Sequence, residues 1–125
     1  MGHTIALIDD SKVMRSIIRK SILMSGYKIA EILEATDGSE GLKLVTDNRA
    51  ILDLIITDIH MPQMSGLEML KSFQETDGSE KVPVILISSD SSVGTRNQWK
   101  DFGVRGFIAK PFDHQDILSL LEAVL

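Results

Sequence analysis

The sequence contains no cysteine, which excludes disulfide bonds, thiolate metal ligands and cysteine nucleophiles. It has no apolar run near the ~18 residues of a membrane-spanning helix, so we expect no membrane insertion. Basic residues are the minority: 13 Lys and Arg stand against 18 Asp and Glu, giving a net charge of -5. Because nucleic-acid-binding domains usually carry a clustered basic face, the scattered cations predict no direct contact with nucleic acid.

The sequence does contain enough apolar residues for a folded core. Hydrophobic residues make up 43% of the 125 residues and charged residues 25%, the balance of an ordinary globular protein. The length suits a single domain, which we place at residues 1–125. The first apolar stretch is short and is followed at once by Asp9 and Asp10, unlike a secretory signal peptide. We therefore expect a cytoplasmic location.

Short apolar runs alternate with segments of helical periodicity along the chain. The runs predict five strands, at residues 5–8, 28–33, 54–57, 82–87 and 104–109. The first helix is expected to begin after Ser11 and to be closed by Gly26, and Asp113 should cap the last one. The segment 91–102 is the weakest predicted helix, because it contains Gly94 and few large apolar residues. This order predicts an α/β fold with a doubly wound, five-stranded parallel sheet.

Polar residues follow the predicted strands. Asp9 and Asp10 follow the first strand, Asp58 the third, Ser88 the fourth and Lys110 the fifth. Parallel strands bring these ends to one edge, where doubly wound sheets bind their ligands. Each residue alone also suits an ordinary role, such as a helix cap, a turn or a solvated charge. Together, the three carboxylates would repel one another unless a cation joined them, and oxygen ligands favour Mg²⁺.

The same residues lie in motifs that mark a family. The motifs are Asp9-Asp10-Ser11, Thr57-Asp58-Ile59-His60-Met61-Pro62, Met64-Ser65-Gly66, Ser88, Lys110-Pro111-Phe112 and, more weakly, Ala35-Thr36-Asp37-Gly38. With these motifs in this order over its whole length, the chain resembles the response-regulator receiver domain, the chemotaxis-regulator-like phosphoacceptor of two-component signalling. The resemblance implies a flavodoxin-like (βα)5 receiver fold. It also implies a switch that is not an enzyme, except that it catalyses its own phosphorylation and dephosphorylation.

The resemblance further implies which residues hold the phosphoryl group and its metal. Asp58 is the expected phosphoacceptor, and a carboxylate is a suitable nucleophile for this reaction. The expected cofactor is Mg²⁺, held by Asp10, Asp58 and the backbone carbonyl of His60, with Asp9 acting mainly through a bound water. Lys110 is expected to bind one phosphoryl oxygen and Ser88 to donate a hydrogen bond to another.

Other implied roles concern signalling. Phe107 stands at the aromatic switch position, where the ring moves inward as Ser88 is drawn to the phosphate. The expected phosphoryl donor is a sensor histidine kinase or a phosphotransfer protein. The surface of the fourth helix, fifth strand and fifth helix would then control a downstream target or output domain. His60 and Asp90 occupy the variable positions that tune the lifetime of the phosphate. Trp99 is the residue whose exposure would indicate a partner surface, although packing over the core is the slightly favoured alternative.

Two other functions stay open on the sequence. A phosphohydrolase of the haloacid dehalogenase type also places a nucleophilic Asp after a parallel strand. That class normally has a second Asp two residues later, where this chain has His60. Enzymes of that class also normally carry a cap domain. A degenerate receiver would act by binding alone. The five site residues of a phosphorylated receiver are all present here, which argues against this alternative: Asp9, Asp10, Asp58, Ser88 and Lys110. The chain ends at Leu125 with the last predicted helix, so we expect a stand-alone receiver or a piece of a larger regulator.

Overall fold

The structure, a computed structural model, describes residues 2–88 and 102–125. The strands are β1 (His3–Ile8), β2 (Ile29–Ala35), β3 (Leu54–Asp58), β4 (Val84–Ser88) and β5 (Val104–Ala109). The helices are α1 (Lys12–Leu23), α2 (Gly38–Asp47), α3 (Gly66–Gln74) and a C-terminal helix (His114–Val124), with a 3-10 turn at Ser79–Lys81. Apart from Phe102, the helix predicted at 91–102 lies outside the described residues. None of the described helices is long and apolar enough to cross a lipid bilayer.

The five strands form one parallel sheet in the order β2-β1-β3-β4-β5. This arrangement confirms the predicted doubly wound α/β fold. The chain leaves β1 toward β2 on one side and later returns to β3 on the other side. Neighbouring strand ends at such a reversal leave a crevice beyond their carboxyl ends. The last residues of β1 and β3 therefore border the place where this type of sheet binds ligands.

Two apolar layers cover the sheet. On one face, Met69 and Phe73 of α3 and Val45 of α2 pack over the strands. On the other face, the buried helix residues are Ile18 and Ile22 of α1 and Ile117 and Leu121 of the C-terminal helix. All residues of β3 and β4 are buried, which explains why these strands appear in the sequence as unbroken apolar runs.

Several boundaries differ from the prediction. Helix α1 ends at Leu23 with Met24 as its C-cap, and Gly26 lies two residues further on with φ +90°. Gly26 therefore forms the following turn instead of closing the helix. Pro62 and Gly66 predict a loop over residues 61–66. Gly66 is instead the first residue of α3, because Ser65 caps that helix. Strand β4 begins after Pro83, which has no N–H to give to a neighbouring strand.

Candidate functional site

Asp58 is the last residue of β3, and both of its carboxylate oxygens accept hydrogen bonds. The N–H of Ile59 donates to Oδ1 over 2.7 Å, and the ammonium of Lys110 donates to Oδ2 over 3.0 Å. The side chain of Asp58 is only 8% exposed. The predicted phosphoacceptor is therefore held at the carboxyl edge of the sheet in one orientation, with a cation beside it.

Helix α3 begins directly against the backbone of Asp58. The N–H of Gly66 donates to the carbonyl oxygen of Ile59 over 2.7 Å. A Cβ atom added to Gly66 would overlap the carbonyl oxygen of Asp58. Only a residue without a side chain allows this approach. Gly66 thus contributes to the position of Asp58, although its place in the sequence suggests only a loop.

Asp9 follows β1 and is almost completely buried. Its Oδ1 accepts a hydrogen bond from the N–H of Ser11 over 2.9 Å, whereas its Oδ2 is buried without a hydrogen-bond partner. The ammonium of Lys110 lies 3.8 Å from that Oδ2 atom. Burial raises the pKa of the Asp9 carboxyl, and the charges of Asp58 and Asp10 add to this effect against the Ser11 bond and Lys110. An additional cation would stabilise the ionised form of this carboxylate.

The three carboxylates that the sequence placed at this edge do meet. One oxygen from each of Asp9, Asp10 and Asp58 lies within 4.8 Å of the others, and Asp10 is the exposed member of the group. A set made only of carboxylate oxygens suits a hard cation such as Mg²⁺, which also keeps several waters. Oδ2 of Asp9 is buried without a hydrogen-bond partner, with the ammonium of Lys110 3.8 Å away, which is a second indication that a cation fits here. The residues present therefore match the requirements of a magnesium site.

Lys110 reaches the cluster from the end of β5. Its backbone N–H donates to the carbonyl of Ser88 over 2.8 Å, and its peptide bond to Pro111 is cis. Partial burial lowers the pKa of the Lys110 ammonium, but the hydrogen bond and charge of Asp58, with help from Asp9, outweigh burial and raise it. Lys110 is therefore a protonated, positively charged group inside the acidic cluster at neutral pH.

The other predicted site residues lie around this cluster. Ser88, the last residue of β4, is completely buried. Phe107 lies on β5, is partly buried, and packs against the apolar layer that includes α2 and α3. His60 is exposed, two residues beyond Asp58. Asp90 and Trp99 fall outside the described residues.

Arg15 contacts the site without being one of the predicted site residues. Its Nη1 donates to the backbone carbonyl of Asp9 over 2.7 Å. A cation in the first turns of a surface helix is usually solvated, so no sequence pattern distinguishes this one from Lys12 or Arg19 on the same helix. Only its position against the end of β1 reveals the contact.

Comparisons with known proteins agree with this geometry. A family model described as "Response regulator receiver domain" matches residues 5–122. A chemotaxis protein CheY homolog of Campylobacter jejuni is 34% identical over 119 residues, which are 95% of this chain and 89% of that protein. Response regulator MprA of a Mycobacterium species is 31% identical over 125 residues, but this chain spans only 51% of its length.

A solved structure extends the likeness to the backbone. The chemotaxis response regulator CheY4 of Vibrio cholerae has a TM-score of 0.87 and 28% identity, with 100% of both chains covered. This backbone likeness and the matched family model indicate the same fold. This chain therefore belongs to the response-regulator receiver family, whose members are phosphorylation-controlled signalling proteins of two-component systems.

Proposed function

We propose that this protein is a Mg²⁺-dependent switch that accepts a phosphoryl group on Asp58. The observation that carries the proposal is the Asp58 carboxylate itself. It is held by the Ile59 N–H and by Lys110, and two further carboxylates lie within reach of one cation. Phosphoryl transfer needs a positioned nucleophile and positive charge around the transferred group, and this site offers both.

The reaction forms a bond between a carboxylate oxygen of Asp58 and phosphorus, while the bond from phosphorus to the donor atom breaks. When bound, Mg²⁺ offsets negative charge on the carboxylate and phosphoryl oxygens. Asp9, Asp10, Asp58 and the backbone carbonyl of His60 are the groups that would hold it. Lys110 would move its hydrogen bond from Asp58 to a phosphoryl oxygen.

The signal would leave the site through Ser88 and Phe107. The hydroxyl of Ser88, at the end of β4, would donate to a second phosphoryl oxygen. Phe107 lies opposite Leu86 in the register between β4 and β5, two residues before the end of β5. A shift at Ser88 would therefore reach Phe107 across one strand pair. The surface that changes would be that of β5, the C-terminal helix and segment 91–102.

The donor would be a sensor histidine kinase or a phosphotransfer protein, and the receiver of the signal a downstream target or output domain. Residues 1–125 would act as one receiver unit in the cytoplasm. The chain spans about half the length of the MprA relatives, which leaves room in such proteins for a further segment.

The test is phosphorylation by acetyl phosphate in the presence of Mg²⁺, followed by mass spectrometry of the intact chain. We expect one phosphoryl group per chain on the parent protein and none on Asp58→Asn. Asp47→Asn is a matched control, because Asp47 is an exposed carboxylate at the last residue of α2, where it is paired with Lys43. Undiminished labelling of Asp58→Asn would place the acceptor elsewhere.

The same experiment separates the alternatives. A phosphohydrolase of the haloacid dehalogenase type would release inorganic phosphate in rapid multiple turnover without lasting label. A degenerate receiver would neither take up phosphate nor require Mg²⁺. A single, slowly lost phosphoryl group supports the switch.

A further inference from the structure

Arg15 belongs to a small charged network that joins α1 to the edge strand β2. Its side chain is only 13% exposed, although it lies on a surface helix. Its Nε donates to Oε1 of Glu34 over 3.0 Å, while its Nη1 donates to the carbonyl of Asp9 over 2.7 Å. One guanidinium group therefore connects the helix, the edge strand and the turn that carries the acidic cluster.

Glu34 is itself held from two sides. Its second oxygen, Oε2, accepts a hydrogen bond from Nη1 of Arg19 over 3.2 Å. The side chain of Arg19 is 45% exposed, which is far more than that of Arg15. Arg19 thus binds Glu34 on the exposed side of the network. Glu34 in turn fixes the side chain of Arg15, which contacts Asp9. The planar guanidinium fork suits such a double contact.

Asp9 is restrained at three of its polar atoms. Its N–H donates to the carbonyl of Ala35 over 3.1 Å, its carbonyl accepts from Arg15, and its Oδ1 accepts from Ser11. Oδ2 alone is left without a hydrogen-bond partner, and it faces Lys110. The carbonyl that Arg15 binds belongs to the peptide group between Asp9 and Asp10. Its orientation therefore sets the direction in which the chain, and the Asp10 carboxylate, leave β1.

We infer that Arg15 is a positioning residue for the magnesium site. It orients the Asp9–Asp10 peptide group so that both carboxylates face Asp58, and it touches neither the metal nor the phosphoryl group. The inference rests on the proposed function, because it assumes that the acidic cluster binds Mg²⁺. Groups that orient metal ligands commonly change metal affinity by about 10–100-fold when they are removed.

The first test is calorimetric titration of the full chain with MgCl₂. We expect Arg15→Ala to bind Mg²⁺ about tenfold more weakly than the parent protein. Arg19→Ala is the matched control, since it removes the same charge from the same helix and an ion pair with the same Glu34, but no contact with Asp9. We expect it to change the affinity by less than about twofold, because exposed ion pairs contribute little. Equal losses in the two variants would overturn the inference.

The second test separates positioning from direct action on the phosphoryl group. The rate of phosphorylation by acetyl phosphate is measured as the Mg²⁺ concentration rises. In Arg15→Ala the half-saturating Mg²⁺ concentration should rise about tenfold, while the rate at saturation returns close to that of the parent. A rate that stays low at saturating Mg²⁺ would show that Arg15 acts on the reaction itself, and would overturn the positioning role.

Arg15→Lys keeps the test decisive if Arg15→Ala does not fold. Lysine keeps the charge but lacks the planar fork, so it should hold Asp9 or Glu34 but not both. We expect it to fold and to bind Mg²⁺ about threefold more weakly than the parent, a smaller loss than full removal. Parent-like affinity in Arg15→Lys and Arg15→Ala alike would overturn the inference alone. A parent protein without Mg²⁺ affinity would overturn both the inference and the proposed function.

Discussion

The ammonium of Lys110 lies 3.0 Å from Oδ2 of Asp58, although the two residues are 52 positions apart in the chain. Before any phosphoryl group arrives, this cation offsets the charge of the nucleophile and lies among the carboxylates that would hold a metal. Lys110→Ala should therefore separate two properties of the site. Phosphorylation by acetyl phosphate should slow by about 100-fold, as expected when a positioned charged donor is lost. Mg²⁺ affinity measured by calorimetry should not fall, since a competing cation has been removed.

Lys43→Ala is the control for this substitution. Lys43 also pairs with a carboxylate, Asp47 at 2.8 Å, but its side chain is 80% exposed. Its removal should leave both the rate and the affinity unchanged. A loss of Mg²⁺ affinity in Lys110→Ala would show that the lysine supports the metal instead of competing with it.

The two carboxylates after β1 should contribute unequally to Mg²⁺ binding. Asp10 is exposed, whereas Asp9 uses Oδ1 to hold the N–H of Ser11. Asp10→Ala should weaken Mg²⁺ binding more than Asp9→Ala, because Asp10 is the expected direct ligand and Asp9 acts mainly through water. We expect a loss of more than about tenfold for Asp10→Ala. Calorimetry measures both, and equal affinity in the two variants and the parent would contradict the ligand assignment.

Asp9 should reduce stability when no metal is present. Its raised pKa means that the folded state binds a proton more readily than the unfolded state. The free energy of unfolding should therefore fall as the pH rises above the ordinary Asp value of 3.8, and this loss should persist at neutral pH. Asp9→Asn removes the buried charge and should raise the free energy of unfolding at neutral pH by about 1 kcal/mol.

Urea unfolding with EDTA, between about pH 4 and about pH 8, measures this difference. The gain from Asp9→Asn should shrink toward the acidic end, where the parent carboxyl is protonated. Saturating Mg²⁺ should reduce or reverse the gain, because the metal stabilises the parent protein more than the variant. A difference independent of pH and of Mg²⁺ would show that Asp9 acts through packing and not through its charge.

Gly66→Ala should disturb the phosphoacceptor, because the added Cβ would overlap the carbonyl oxygen of Asp58. We expect a loss of about 2 kcal/mol in the free energy of unfolding and slower phosphorylation. Gly26→Ala is the contrasting variant: it is strained by its φ of +90°, but its Cβ would meet no atom within 4 Å. It should cost about 1 kcal/mol and leave phosphorylation unchanged. Normal phosphorylation in Gly66→Ala would show that Asp58 tolerates a shift of α3.

His60 and Asp90 should control the lifetime of the phosphate without being needed for its formation. Both are expected beside the path by which water reaches the phosphorylated Asp58. Replacing both with Ala should change the rate of phosphate loss by about tenfold, equivalent to ~1.4 kcal/mol in the barrier. Mg²⁺ affinity should stay nearly constant, since His60 is expected to use its backbone carbonyl. Loss of label followed by mass spectrometry gives the rate, and an unchanged rate would exclude both side chains from this role.

The sequence by itself determined the order of the described strands and helices. It also determined which carboxylates lie at the carboxyl edge of the sheet, namely those of Asp9, Asp10 and Asp58. Buried parallel strands require continuous apolar runs, so β1 and β3 could be predicted from those runs in the sequence. Ser11 and Asp113 do cap their helices, accepting from Met14 and Asp116, because capping depends on residues only three positions apart.

Only the tertiary structure decided which of these residues touch, and how. The 3.0 Å contact between Lys110 and Asp58 depends on β3, β4 and β5 being neighbours in the sheet. The contact of Arg15 with the backbone carbonyl of Asp9 depends on how α1 packs against the strand ends, and burial there leaves Oδ2 of Asp9 without a hydrogen-bond partner. Periodicity reports which residues are buried, because burial repeats along each element. It does not report distances between elements, since these depend on contacts between residues far apart in the chain.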